Sequence, residues 1–175
     1  MAGALHSYTY LGRSAVDAAA RRVGLETAGG STTAGPAANP RFFTGFVAGA
    51  EQAAAGLLAV ADVAQARYWQ PQVAGLRDPV VTCNGDRLRF ESFSGCCGVY
   101  ARLDLLSAAL DGQVHDRGTT NVDVNGPLRE ALARVGGADP LHLAVVFGLD
   151  ETTAIRYSTA ARKLLPTPAE QQHPS

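Results

Sequence analysis

Two adjacent cysteines, Cys96 and Cys97, stand between Gly95 and Gly98, with Cys83 upstream. Neighbouring thiols suit a soft metal ion or a redox couple. A metal needs further ligands, however, and Cys83 and His115 stand in no recognised ligand register. The pair reads better as a crowded turn that small, apolar-tolerant side chains fit, and the sequence implies no cofactor. Asp116, Thr119, Thr120, Asn121, Asp123 and Asn125 offer oxygen donors of the kind a divalent cation takes. Their spacing is not that of an EF-hand loop. Alternation along a strand puts Asn121, Asp123 and Asn125 on one face, as a solvated sheet surface would. Arg87, Arg89 and Arg102, with Phe93 and Tyr100 interleaved, could form a basic stripe for nucleic acid or an acidic partner. The competing reading is an outer face neutralised by Glu91 and Asp104 across the strands. His115, in Val114-His115-Asp116-Arg117, is a loop histidine without a third partner. Ser92 and Ser94 lack the leading glycine of a nucleophile elbow, and the glycine-rich stretches lack the Lys-Ser/Thr of a phosphate loop. No catalytic constellation emerges, and the expectation is a protein that is not an enzyme.

One further candidate lies near the C-terminus. Ala144 and Gly148 have the four-residue spacing that lets two helices of a helix-turn-helix pack closely, with Leu143, Phe147, Ala154 and Tyr157 as apolar partners. Thr152, Thr153, Arg156 and Arg162 would then face DNA. The same segment reads equally as a helical hairpin, or as a strand followed by a helix. Its basic residues (Arg156, Arg162, Lys163) are balanced by Asp150, Glu151 and Glu170, which weakens an autonomous DNA reader.

The elements that must position these residues follow from periodicity. Residues 27–40 are small, polar and rich in Gly, Pro and Thr, as in a loop. Asn39-Pro40 then has the form of a helix start, with Phe42, Phe43, Phe46 and Val47 as an apolar face. A second helical run over residues 51–69 repeats its apolar positions at three and four. From Pro79 the period becomes two. Asn84-Gly85 between strand-like runs predicts a hairpin, with Leu88 and Phe90 facing one way and Arg87, Arg89 and Glu91 the other. Further strands are expected over residues 99–105 and 119–124, and a helix over 128–135 after Asn125 and Pro127. The expected fold is α+β, an antiparallel sheet with flanking helices and a C-terminal helical segment. The expected organisation is a loosely ordered segment at 1–40, the α+β domain at 41–138, a helical segment at 139–166 and a disordered tail at 167–175.

The bulk composition sets outer bounds. The chain has 175 residues, 46% hydrophobic and 18% charged, with 15 basic and 16 acidic residues. That is long enough to fold around one core without a disulfide or metal. A net charge of −1 gives no general electrostatic grip on nucleic acid. No signal-peptide pattern begins the chain. The most apolar stretch, residues 48–66, is interrupted by Glu51, Gln52, Asp62 and Gln65, which argues against a membrane span. A cytoplasmic location is expected.

Between residues 78 and 135 the string DPVVTCNGDRLRFESFSGCCGVYARLDLL…GTTNVDVNGPLREALARV, with AANPRFFTGF before it, resembles the N-terminal region of actinobacterial SWIM zinc-finger family proteins. The resemblance covers roughly residues 8 to 142. It implies a protein-interaction role in a larger assembly, with MoxR-type ATPases or von Willebrand factor A proteins as partners. The family's Cys-x-Cys and Cys-x-His finger is missing here. The string VFGLDETTAIRYSTAARKLL instead resembles the C-terminal segment of actinobacterial integrase-related proteins. Together these imply a truncated or fused product: an interaction module without the finger or, alternatively, a DNA-binding protein acting through its C-terminal helix pair. In the DNA-binding case, affinity measured by salt titration should fall steeply with ionic strength, and Arg156→Ala and Arg162→Ala should weaken it. Binding indifferent to salt or to these substitutions excludes that reading.

Overall fold

The computed structural model describes residues 8–17, 22–66 and 78–136. Strand β6 (Val80–Cys83) turns through Asn84-Gly85 into β7 (Arg87–Phe93). Gly85 has φ 96°, a left-handed conformation suited to glycine, whereas Asn84 does not take a positive φ and the Cys83↔Leu88 register puts Gly85-Asp86 at the tip. β7 pairs along its whole length with β8 (Tyr100–Leu106). On its other side β6 pairs with β10 (Gly118–Asn121). The expected alternation is present. Leu88, Phe90 and Ser92 are buried, while Arg87, Arg89 and Glu91 lie on the other face.

β10 continues the sheet into residues expected to be a loop. β3 (Gly30–Thr32) pairs with β10, and β4 (Gly35–Ala37) closes that edge, so the sheet runs β4-β3-β10-β6-β7-β8, antiparallel throughout. Composition concealed these strands because their small residues serve close approach. A Cβ on Gly30 would lie 2.4 Å from the Thr119 carbonyl oxygen. The fully buried Ala28 sits beneath Thr120, whose hydroxyl donates to the Ala28 carbonyl at 2.7 Å.

The aromatic run after Pro40 is likewise a strand rather than the expected first helix. β5 (Phe43–Val47) pairs with β9 (Leu110–Val114) as a separate two-stranded ribbon. Asn39 caps no helix here: its side chain meets the Thr27 hydroxyl and donates to Glu26 Oε1 at 2.7 Å. β1 (Ala15–Asp17) and β2 (Arg22–Gly24) form a second small ribbon.

One helix covers a face of the main sheet and a second packs on it. α1 (Ala50–Gln65) lies on β7 and β8, and α2 (Gly126–Gly136) packs against α1 and β1. Asn125 starts α2 as expected, its Oδ1 accepting from Leu128 N at 3.1 Å. Leu57, Val60 and Ala61 of α1, Leu128 and Leu132 of α2, and Val81, Leu88, Phe90, Leu103, Val122 and Val124 form one core with Phe42 and Cys83. An Asp62–Arg129 ion pair ties the helices together. The fold is thus α+β with antiparallel sheets and two flanking helices. The helical segment expected at 139–166 and the tail at 167–175 lie outside the described residues. No described helix is long and apolar enough to cross a membrane.

Leu128 has no solvent exposure and belongs to the core that α1, α2 and the sheet share. Leu128→Ala should cost about 2–5 kcal/mol, by lost transfer energy plus a cavity, read as a shift of the urea unfolding midpoint.

Candidate interaction surface

The two edges of the main sheet are built differently. At one end β4 spans three residues and carries Pro36, which has no N–H to offer. At the other end β8 spans seven residues, none of them Gly or Pro, and among the described strands only β7 pairs with it. A long edge without such protection is a template for another strand.

The backbone phase of β8 can be fixed. Ser94 N donates to the Val99 carbonyl at 2.8 Å, and the β7–β8 register continues this pairing without interruption, from Phe93↔Tyr100 to Arg87↔Leu106. Backbone groups alternate sides along an antiparallel strand. Ala101, Leu103 and Leu105 therefore bond to β7, whereas Tyr100, Arg102, Asp104 and Leu106 direct their N–H and C=O groups outward. Side chains alternate with the same period. The residues with outward amides are thus also those whose side chains lie on the face opposite α1.

That face is charged but internally balanced. Arg89 Nε donates to Asp104 Oδ1 at 2.8 Å, and Arg102 pairs with the other oxygen of the same carboxylate. Arg87 meets Asp86 at 2.7 Å, and the Tyr100 hydroxyl donates to Glu91. Burial pushes the Asp104 carboxyl up, but hydrogen bonds from Arg102 and Arg89 outweigh it and hold the group below the usual carboxylate range. The three arginines thus spend their charge on neighbouring carboxylates, which is the neutralised face weighed above against a basic stripe. Apolar groups remain open beside them. The Phe93 and Tyr100 rings lie 4.9 Å apart; Phe93 is 59% exposed, Tyr100 46% and Leu106 51%. Along the C-terminal half of β8 an open groove of about 520 Å³ runs between Leu103, Leu105 and Leu106 and the start of α1 at Gly49, Gln52 and Ala53.

The other candidates fall elsewhere. Asn121, Asp123 and Asn125 do not form a solvated face. Asn121 Nδ2 donates to the Asp78 carbonyl at 3.1 Å, and Asp123 Oδ2 accepts from Ser14 N at 2.9 Å and Asn125 Nδ2 at 2.8 Å. Tyr10 donates to Asp78 at 2.9 Å, and Asp78 N donates to the Tyr8 hydroxyl at 2.7 Å. This belt fastens residues 8–14 to the sheet, which alternation alone could not reveal because, apart from the Asp123–Asn125 bond, its partners are 43 to 111 residues apart. Burial, then the hydrogen bond to Asp78, drives the Tyr10 hydroxyl far above its ordinary range. Burial likewise raises Asp78, aided by Asp123 and opposed by the Tyr10 hydrogen bond.

Cys96 and Cys97 occupy the tight turn between β7 and β8, where Cys97 N donates to Ser94 O at 2.8 Å and Cys97 holds φ 57°. Cys83 is buried in the core. Among the described residues, no group of three or more His, Cys, Asp or Glu side chains is placed to hold a metal ion. His115 Nε2 meets the Thr44 hydroxyl at 2.9 Å, while Asp116 engages Thr33 instead. Thr152, Thr153, Arg156 and Arg162 lie outside the described residues.

Compared with known proteins, the chain matches no family model, no curated protein and no solved structure.

Because the Asp104 carboxyl is held below its ordinary value of 3.8, its contribution to stability is present at neutral pH and lost as pH falls through the folded-state value. Asp104→Asn should lower stability at about pH 7 by roughly 1 kcal/mol or less. In urea melts the gap to the parent protein should begin to narrow below about pH 4 and go on narrowing as pH falls through the folded-state value.

Proposed function

We propose that this chain is a non-enzymatic interaction module that receives an extended segment of a protein partner on β8. The observation carrying this reading is the run of outward backbone groups at Tyr100, Arg102, Asp104 and Leu106, unpaired among the described residues and flanked by exposed Phe93 and an apolar groove. In strand addition, main-chain hydrogen bonds supply affinity, and pockets for alternate side chains supply specificity. The groove beside Leu103, Leu105 and Leu106 suits apolar side chains of an incoming segment. The paired arginines leave little surplus positive charge for phosphates, which favours a polypeptide over nucleic acid at this face. The resemblance to the N-terminal region of SWIM zinc-finger proteins supports the same class of role. It makes MoxR-type ATPases and von Willebrand factor A proteins the partners to test first.

A displayed random-peptide library selected on the full chain tests the reading. Selected peptides should slow amide hydrogen exchange at Tyr100, Arg102, Asp104 and Leu106. Arg102→Pro removes one outward N–H without touching the β7 ladder and should weaken those peptides by roughly tenfold. Peptides that protect a different segment, or that bind Arg102→Pro equally well, overturn the proposal.

A further inference from the structure

We infer that the strand β8 receives is the β8 of a second copy of this chain. The inference rests on the reading of β8 as a recognition edge and adds the identity of the partner. β8 reads Tyr100-Ala101-Arg102-Leu103-Asp104-Leu105-Leu106, and this sequence is self-complementary about Leu103. In antiparallel pairing around a two-fold axis through Leu103, Arg102 lies opposite Asp104 of the other copy, and Asp104 opposite its Arg102. Tyr100 lies opposite Leu106, so the two half-exposed apolar side chains of each β8 cover one another. Leu103 meets its own counterpart, and Ala101 meets Leu105, on the face that α1 covers.

The backbone phase agrees with this register. Tyr100, Arg102, Asp104 and Leu106 direct their amides outward, and each would face another member of the same set. The pairs Arg102↔Asp104 and Tyr100↔Leu106 are then hydrogen-bonded ones that exchange both N–H···O bonds.

Competing registers are penalised. Sliding the copies by two residues in one direction places Arg102 against Arg102; sliding in the other places Asp104 against Asp104. Like charges directly opposite each other destabilise a strand pair. A one-residue slip sets core-facing side chains against outer-face side chains. The alternating Arg-Leu-Asp centre therefore specifies one register, and isologous pairing of this kind closes as a dimer rather than propagating.

Analytical ultracentrifugation of the full chain over a concentration series, with hydrogen exchange at both ends of the range, tests the inference. The expected result is a monomer–dimer equilibrium in which Tyr100, Arg102, Asp104 and Leu106 amides become protected on dimerisation, while those of Ala101, Leu103 and Leu105 are protected throughout. Arg102→Asp and Asp104→Arg should each weaken the dimer by roughly tenfold or more. An equimolar mixture of the two should regain it as a heterodimer, because opposite charges again face each other at both positions. Leu106→Glu, next to Arg87 in its own sheet, provides an exposed substitution that keeps the fold and should also weaken the dimer. A dimer that leaves the outward amides unprotected, or charge variants whose mixture does not recover, overturns the inference. A monomer at every concentration that still binds library peptides at those amides overturns self-pairing and leaves partner-strand recognition standing. A monomer whose β8 binds no peptide overturns both.

Discussion

Gly56 brings the backbone of α1 down onto Leu103, where a Cβ would lie 2.8 Å from a leucine methyl carbon. A few residues on, Ser92 of β7 donates its hydroxyl to the Val60 carbonyl at 2.6 Å, a buried bond between strand and helix. These two contacts set the height and the rotation of α1 over the β7–β8 pair. Val60 and Ala61 then point into the core, and α2 docks against α1 beside them. The same seating determines what is left open among the described residues. α1 lies on one face of β8, so the strand keeps its core-facing leucine beside a backbone edge that no other described strand takes.

Much of this arrangement was legible from local pattern. The period-two alternation in β7 and β8, the Asn84-Gly85 turn and the Asn125 cap each depend on neighbours a few residues away, and each is present. The failures share one cause. Residues 27–40 look like a loop because Gly30 and Ala28 are small, yet they are small so that β3 can lie against Thr119 and Thr120. Phe42, Phe43 and Phe46 look like a helix face, but Gly45 sits opposite Gly112 in the β5–β9 ribbon, a partner some seventy residues away. Asn121, Asp123 and Asn125 look solvated because the groups that satisfy them, Ser14 and Asp78, are remote in sequence. Period reports which face a residue takes and not what lies across from it.

The candidate surface was half legible for the same reason. The arginines, Tyr100 and Phe93 were recognisable as a group on one face, and Asp104 as a counter-charge, whereas Arg87 takes Asp86 and Glu91 accepts from Tyr100 instead. What a linear reading cannot supply is that β8 is the outermost strand of its sheet among the described residues. Strand order depends on where β3, β4 and β10 go, which local pattern left open. Only once those strands are seen to extend the opposite side does the β8 backbone become the exposed resource and its side chains secondary.

The shared parity of β8 has a further consequence. Tyr100, Arg102, Asp104 and Leu106 furnish both the outward backbone groups and the outer-face side chains, so the side chains beside an incoming strand are those of the residues that bond it. A substitution that recolours the face also resets which strand the edge accepts, and one that blocks the edge removes a side chain from the face. For a diversifying lineage, surface chemistry and strand choice would therefore be inherited as one trait, with the four alternate positions as its alphabet and Leu103 as the fixed point about which it is read.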